Sequence, residues 1–257
     1  MANQTQMTGR LTFLGTGTST GVPLIGCRCK VCASADPRDR RLRCSSLVET
    51  QGKRILIDCG PDFRQQALTH GIDSLDAVLI THNHFDHLYG LDDVRPLGNM
   101  PVYGDSVVIN TIHTFMPYCF GARKYPGSAT IELHEVEALQ PFNVAGIPVM
   151  PIPVTHGRFD ILGYRFGPLA YITDASFLSE EAFDALHGVK TLVLNALRIT
   201  PHPSHFSLAE SIAAAERIAA EQTWFIHFSH DIGLQAETEL TLPKGMHMAY
   251  DNLQILW

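Results

Sequence analysis

The segment Thr81-His82-Asn83-His84-Phe85-Asp86-His87 places three imidazoles and a carboxylate within six residues, just after the apolar run Ala77-Val78-Leu79-Ile80. A strand ending in such a loop projects its side chains at one point. Nitrogen and oxygen donors without a thiolate suit Zn, Mn or Fe. Period two would put His82 and His84 on one strand face, while Asp86 and His87 open the next helix. A second cluster, Cys27-Arg28-Cys29-Lys30-Val31-Cys32, has three thiols in six residues. Thiols so spaced can converge on one ion, and tetrahedral Zn needs a fourth ligand. His230, three residues after His227, is the best candidate, giving a closed structural site of Cys27, Cys29, Cys32 and His230. Redox-active or merely buried thiols are the competing reading.

One further histidine has a chemical context. His205, in Pro203-Ser204-His205-Phe206, precedes a capped helix. A leaving alkoxide needs a proton, and an imidazole outside the metal ligands is the natural donor near neutral pH. His202 is the rival donor, or a phosphate contact beside Arg198. Cys44, Cys59 and Cys119 are isolated and read as packing residues.

The elements that position these groups are short. Strands are expected at Arg10 to Leu14, Ser46 to Glu49, Arg54 to Asp58, Asp76 to Thr81 and Pro101 to Tyr103, then Ile147 to Pro153, Gly163 to Phe166, Ala170 to Thr173, Thr191 to Leu194 and Thr223 to Phe228. A helix follows the third strand, with Phe63 and Ala67 on one face and Gly71 as its stop. Ser179 caps another that runs to His187. Ser207-Leu208-Ala209-Glu210 is a capping box, with Leu208, Ile212, Ala215 and Ala219 as an apolar stripe. Phe115 to Ser128 has no clear period and reads as a loop, either a lid or a contact surface. Strand after strand ends near a metal-capable residue: Asp58, His82, His156, Asp174, His227.

Composition bounds the rest. The 257 residues are 45% hydrophobic and 18% charged, ample for a core, and ligand candidates come from both halves, so one domain over 1–257 is expected. A net charge of -7 offers no basic field for long nucleic acid. The polar stretch from Met1 to Arg10 lacks an apolar signal region and no run approaches membrane-spanning length. A cytoplasmic protein with reduced thiols follows as the expectation. Periodicity alone gives mixed α/β.

The H-x-H-x-D-H pattern of His82, His84, Asp86 and His87 is similar to the signature of the metallo-β-lactamase superfamily of binuclear metallohydrolases. That resemblance implies a four-layer αββα sandwich. It also implies a ligand partition: one metal on His82, His84 and His156, a second on Asp86, His87 and His227, and Asp174 bridging. Asp58 would orient ligands from behind rather than bind metal. Asp86 and His205 are then the candidate catalytic residues, since in related phosphodiesterases a histidine in the His205 segment donates the proton. Two dications about 3.5–4 Å apart polarise a phosphoryl oxygen and activate water.

The Cys-x-Cys-x-x-Cys run after Gly15-Thr16-Gly17-Thr18-Ser19, with His227-x-x-His230, resembles more narrowly the phosphodiesterases of the bacterial carbon–phosphorus lyase pathway. This implies two Mn or Zn ions in the active site, one structural Zn, and small substrates such as cyclic ribose phosphates or 2′,3′-cyclic nucleotides. A homodimer is left open. Three other readings compete: a tRNA 3′-processing ribonuclease, for which only the Arg38-Asp39-Arg40-Arg41-Leu42-Arg43 run speaks; a thioesterase of the same fold; and a non-catalytic metal-binding or redox module. The arginine run is more simply a solvated loop or a phosphate-facing edge.

Overall fold

The computed structural model describes residues 8–257; the expectation of a polar, untargeted start falls on residues 1–7 in part, and these lie outside the described residues. Six strands follow one another in the first half: β1 (Gly9–Gly15), β2 (Ser45–Thr50), β3 (Lys53–Ile57), β4 (Ala77–Leu79), β5 (Asn99–Gly104) and β6 (Thr130–Glu135). Seven more build the second half: β7 (Phe142–Val144), β8 (Ile147–His156), β9 (Phe159–Phe166), β10 (Leu169–Ile172), β11 (Thr191–Asn195), β12 (Gln222–Ile226) and β13 (Met246–Met248). The last strand, β14 (Gln254–Leu256), crosses back to pair antiparallel with β1. The result is two seven-stranded sheets, ordered β14-β1-β2-β3-β4-β5-β6 and β13-β12-β11-β10-β9-β8-β7.

Each sheet has an antiparallel half and a parallel half. β3 to β6 pair parallel, as do β10 to β13. The parallel strands are near-continuous apolar runs, Ile55-Leu56-Ile57 and Leu192-Val193-Leu194, because both of their faces are covered. The inner faces meet in one core that includes Leu11, Phe13, Val48 and Ile57 from one sheet and Tyr164, Phe166 and Tyr171 from the other. Helices α1 (Phe63–His70), α2 (Phe85–Leu88) and α3 (Ser106–Phe115) lie on the outer face of the first sheet through Phe63, Leu88, Val108 and Ile112. Helices α4 (Glu180–Leu186) and α5 (Leu208–Ile218) cover the second through Ala182, Leu186, Leu208 and Ala215. The layering is αββα, as the resemblance implied.

Local chemistry sets the boundaries. Gly71 ends α1 in the left-handed region at φ 58, its N–H returning to the carbonyl of Ala67. Ser207 and Glu210 complete the capping box of α5. The stripe on that helix differs from the expected one: Ser211, Ala214 and Ile218 are buried beside Leu208 and Ala215, and Ala219 leaves the helix at φ 58. β4 stops at Leu79, so His82 and His84 stand on a loop rather than on a strand face. Ile80 N–H still reaches the carbonyl of Tyr103, but Thr81 N–H turns to Asp58 Oδ1, and the ladder ends there.

The arginine run is not a solvated loop at Arg41. That side chain is 3% exposed, donates to Thr16 Oγ1 and the Ala249 carbonyl, and lies 4.5 Å over the Phe228 ring. The 115–128 segment carries two short 3₁₀ turns and anchors itself on buried Cys119. No helix among the described residues is long and apolar enough to cross a membrane.

Candidate metal centre

Three strand ends and one loop-helix segment converge at the edge where the two sheets meet. The first sheet delivers His82 and His84 from the β4–α2 loop and Asp86 and His87 from α2 itself. The second delivers His156 as the last residue of β8, Asp174 two residues after β10 and His227 just after β12. Candidate ligand atoms of His82, His84, His156 and Asp174 lie within 4.8 Å of one another, and those of Asp86, His87, Asp174 and His227 do so as well. Asp174 belongs to both groups.

The approach of the loops demands glycine. A Cβ on Gly60 would fall 1.9 Å from the Asp86 carbonyl, and one on Gly90 would fall 1.8 Å from the Gly60 carbonyl. Asp58 and His227 both hold the left-handed region, at φ 61 and 62, which side chains with a Cβ adopt only when their surroundings insist.

The imidazoles are aimed from behind. His87 Nδ1 donates to Asp58 Oδ2 at 2.6 Å, and Asp58 also accepts from the Thr81 N–H and hydroxyl. Thr81 Oγ1 in turn lies 3.0 Å from His82 Nδ1, and His156 Nδ1 donates to the Ser204 carbonyl at 2.6 Å. Each of these three rings therefore turns its remaining nitrogen inward. Those nitrogens are poorly served by protein alone. His84 Nδ1 lies 3.0 Å from His82 Nε2 and 3.3 Å from His156 Nε2, three ring nitrogens with too few protons to satisfy one another. His87 Nε2 and both nitrogens of His227 are buried without a hydrogen-bond partner.

Charge is equally lopsided. Asp86 Oδ2 and Asp174 Oδ2 stand 3.2 and 3.3 Å from His87 Nε2. Burial pulls the His87 imidazole down, yet Asp174, Asp86 and Asp58 outweigh it and raise its pKa well above the ordinary value. Burial likewise pushes Asp174 up, and His227 and His87 more than offset it. Buried carboxylates facing orphaned ring nitrogens are what a divalent cation neutralises, so the residues fit the group.

The thiol cluster also closes on one point. Sγ of Cys27, Cys29 and Cys32 lie 3.3, 3.4 and 3.5 Å from His230 Nδ1, and no cysteine is in a disulfide. The Cys32 N–H donates to Cys29 Sγ and helps lower that thiol to about 6, whereas burial pushes Cys32 up to about 11. Three thiols around one imidazole nitrogen form a set that fits a single tetrahedral ion.

His205 stands beside the first cluster, not in it. Its ring centroid is 4.6 Å from that of His156 and 5.0 Å from that of His227, and its Nδ1 is buried without a partner. His202 lies next to it, ring centroids 5.3 Å apart, with its Nδ1 accepting from the Ser204 N–H, and Arg198 donates to the carbonyls of Thr200 and Pro201 in its own loop.

Residues 53–228 match the β-lactamase superfamily domain. The chain belongs to the metallo-β-lactamase superfamily. It is 44% identical over 252 residues to a Porphyromonas gingivalis protein named octanoyltransferase, a match covering 96% of this chain and 51% of that one. It is 30% identical over 165 residues to ribonuclease Z of Bradyrhizobium diazoefficiens, covering 61% of this chain and 49% of the relative. The chain thus spans about half the length of these two curated relatives. It also superposes on the crystal structure of a diphosphatase from the PhnP family with a TM-score of 0.90 and 43% identity, covering 96% and 97% of the two chains.

Sequence reasoning missed the supports. Thr81 and the Ser204 carbonyl aim metallo-β-lactamase motif histidines, yet a threonine after an apolar run and a backbone oxygen carry no signal. Asp251 was missed too. It is held by Thr16 N–H, Thr16 Oγ1 and Leu42 N–H, tying the C-terminal segment to the loops beside the centre.

Proposed function

We propose that this chain is a binuclear metal-dependent phosphoryl hydrolase, cleaving small phosphodiesters or diphosphates within one catalytic domain. The observation that carries it is the pair of four-residue groups sharing Asp174, lined with orphaned nitrogens, in a chain alike end to end to a diphosphatase. His82, His84 and His156 would hold one Mn or Zn ion, Asp86, His87 and His227 a second, with Asp174 between them. Cys27, Cys29, Cys32 and His230 would hold a structural Zn. The active-site ions, when bound, supply Lewis acidity toward a phosphoryl oxygen and acidify water.

The protein's own residues do the rest. Asp58 and Thr81 fix the tautomers of His87 and His82, and Ser204 fixes that of His156. His205 faces the same edge with a free Nδ1 and delivers the proton that the leaving oxygen needs. Burial holds its imidazole below the ordinary range, and the charge of an anionic substrate beside it would favour the protonated form.

Asp174→Ala tests the reading. It should abolish turnover of bis-p-nitrophenyl phosphate and of a diphosphate, and lower bound metal as measured by mass spectrometry. A variant that kept two ions and a near-normal rate would overturn it. Ribonuclease Z similarity favours an RNA substrate as second reading, and a tRNA precursor in the same assay separates the two; the net charge of -7 speaks for small substrates.

A further inference from the structure

β10 leaves its sheet after Ile172, the last residue in register with β11, where it faces Leu194. β11 runs one residue further, to Asn195, which is fully buried and still pairs with Ile226 of β12. From there the Asn195 side chain takes over where the β10 ladder stops. Its Oδ1 accepts from the Ala175 N–H at 2.6 Å, and its Nδ2 donates to the Ala175 carbonyl at 3.0 Å. Only this orientation of the amide satisfies both groups, since a flipped one would set donor against donor and acceptor against acceptor. Packing alone does not ask for an amide here: the residues before it, Leu192, Val193 and Leu194, are apolar.

Three groups of the candidate centre stand one residue from this clamp. Asp174 precedes Ala175. The Ala175 carbonyl accepts a second bond, from the Phe206 N–H at 2.7 Å, and Phe206 follows His205. Ile226, the partner of Asn195 in the sheet, precedes His227. The clamp is itself held, because Ser211 Oγ of α5 donates to the Asn195 carbonyl at 2.6 Å. We propose that Asn195 is a positioning residue that sets Asp174 and His205 in register with each other. Buried and with both amide atoms engaged, it acts only through them. This rests on the phosphoryl-hydrolase reading above.

The test compares Asn195→Leu, which removes both bonds at similar volume, with Asn195→Asp, which keeps the acceptor facing the Ala175 N–H. On folded, metal-loaded protein, Asn195→Leu should cut kcat for an alkyl phosphodiester by about 10²-fold with KM little changed, the usual cost of a reacting geometry slightly displaced. The loss should be smaller on bis-p-nitrophenyl phosphate, whose leaving group needs little protonation. Asn195→Asp should fall between Asn195→Leu and the native protein on both esters, and it carries the same comparison should Asn195→Leu fail to fold. A lowered melting temperature with native kcat, or equal losses on the two esters, would overturn the role. The Mn-loaded protein gives a readout apart from turnover. Its electron paramagnetic resonance spectrum reports two ions coupled through a shared carboxylate and should change in both variants. An unchanged spectrum also overturns the role, whereas a changed one in a protein whose native form cleaves no phosphoester sinks the hydrolase reading alone.

Discussion

His205 is the residue whose environment and task are most at odds, since burial strips its charge while the proposed reaction needs a proton from it. The conflict yields a selective expectation. Loss of a general acid typically slows a reaction by about 10²–10⁴ when the leaving alkoxide is poor. His205→Ala should therefore impair cleavage of a ribosyl or alkyl ester far more than that of a p-nitrophenyl ester, with both metals retained. Equal losses in steady-state kinetics would reassign it to substrate binding; a lost ion would make it a ligand. At this scale the sequence was most legible. His-x-His-x-Asp-His announces its donors by type and spacing. The atoms that aim them, Thr81 Oγ1 and the Ser204 carbonyl, are ordinary groups whose duty exists only in three dimensions.

At the scale of elements, the loop after β12 connects two sites, since His227 and His230 stand three residues apart on it. Its middle is fastened on both sides: Phe228 N–H donates to the Thr16 carbonyl, Thr18 N–H to the Phe228 carbonyl and Ser229 N–H to the Leu197 carbonyl. Removing a thiol should thus be felt at His227. Cys29→Ser should lower the melting temperature and the Zn content by about one ion, because binding free energy of such a site is coupled to folding, and should weaken the neighbouring centre. Normal metal content and melting alongside lost activity would favour a redox role for the thiols. The pH sense follows from the lowered Cys29 thiol. A group whose folded pKa is depressed stabilises fully above its unfolded value and loses that contribution as pH falls through the folded one, here about 6. Zn affinity should accordingly fall as pH drops through about 6, where a proton begins to compete for the Cys29 thiolate, as dye-chelation titrations at several pH values would register. Strands and capped helices with strong local signals were readable, including α4 and α5. β6, β7, β13, β14 and α3 were not: the strands are short or edge elements, and α3 depends on burial of Val108 and Ile112 under Asp105 as its cap.

For the whole molecule, what matters is that the candidate ligands are divided between the two sheets. Two stitches hold the loop before His82 against the opposite sheet: Tyr164 Oη donates to the Ile80 carbonyl at 2.7 Å and Leu162 N–H to the Thr81 carbonyl at 3.1 Å. Tyr164→Phe would leave a buried carbonyl unserved, a change worth about 1–3 kcal/mol, and should weaken metal binding without touching a ligand. The convergence of strand ends was foreseeable from residue order. These stitches were not, because sheet register decides them. The chain crosses from one sheet to the other through the exposed turn at Glu137 and Ala138, and only β14 returns. Cut there, the protein would become two pieces, one bearing His82, His84, Asp86 and His87 and the other His156, Asp174 and His227, neither with a full coordination sphere. Their reassembly should then be conditional on divalent metal, tight in its presence and reversed by a chelator. In effect the ions would act as the clasp of a split protein, and fluorescence anisotropy of one labelled piece would follow it opening and closing.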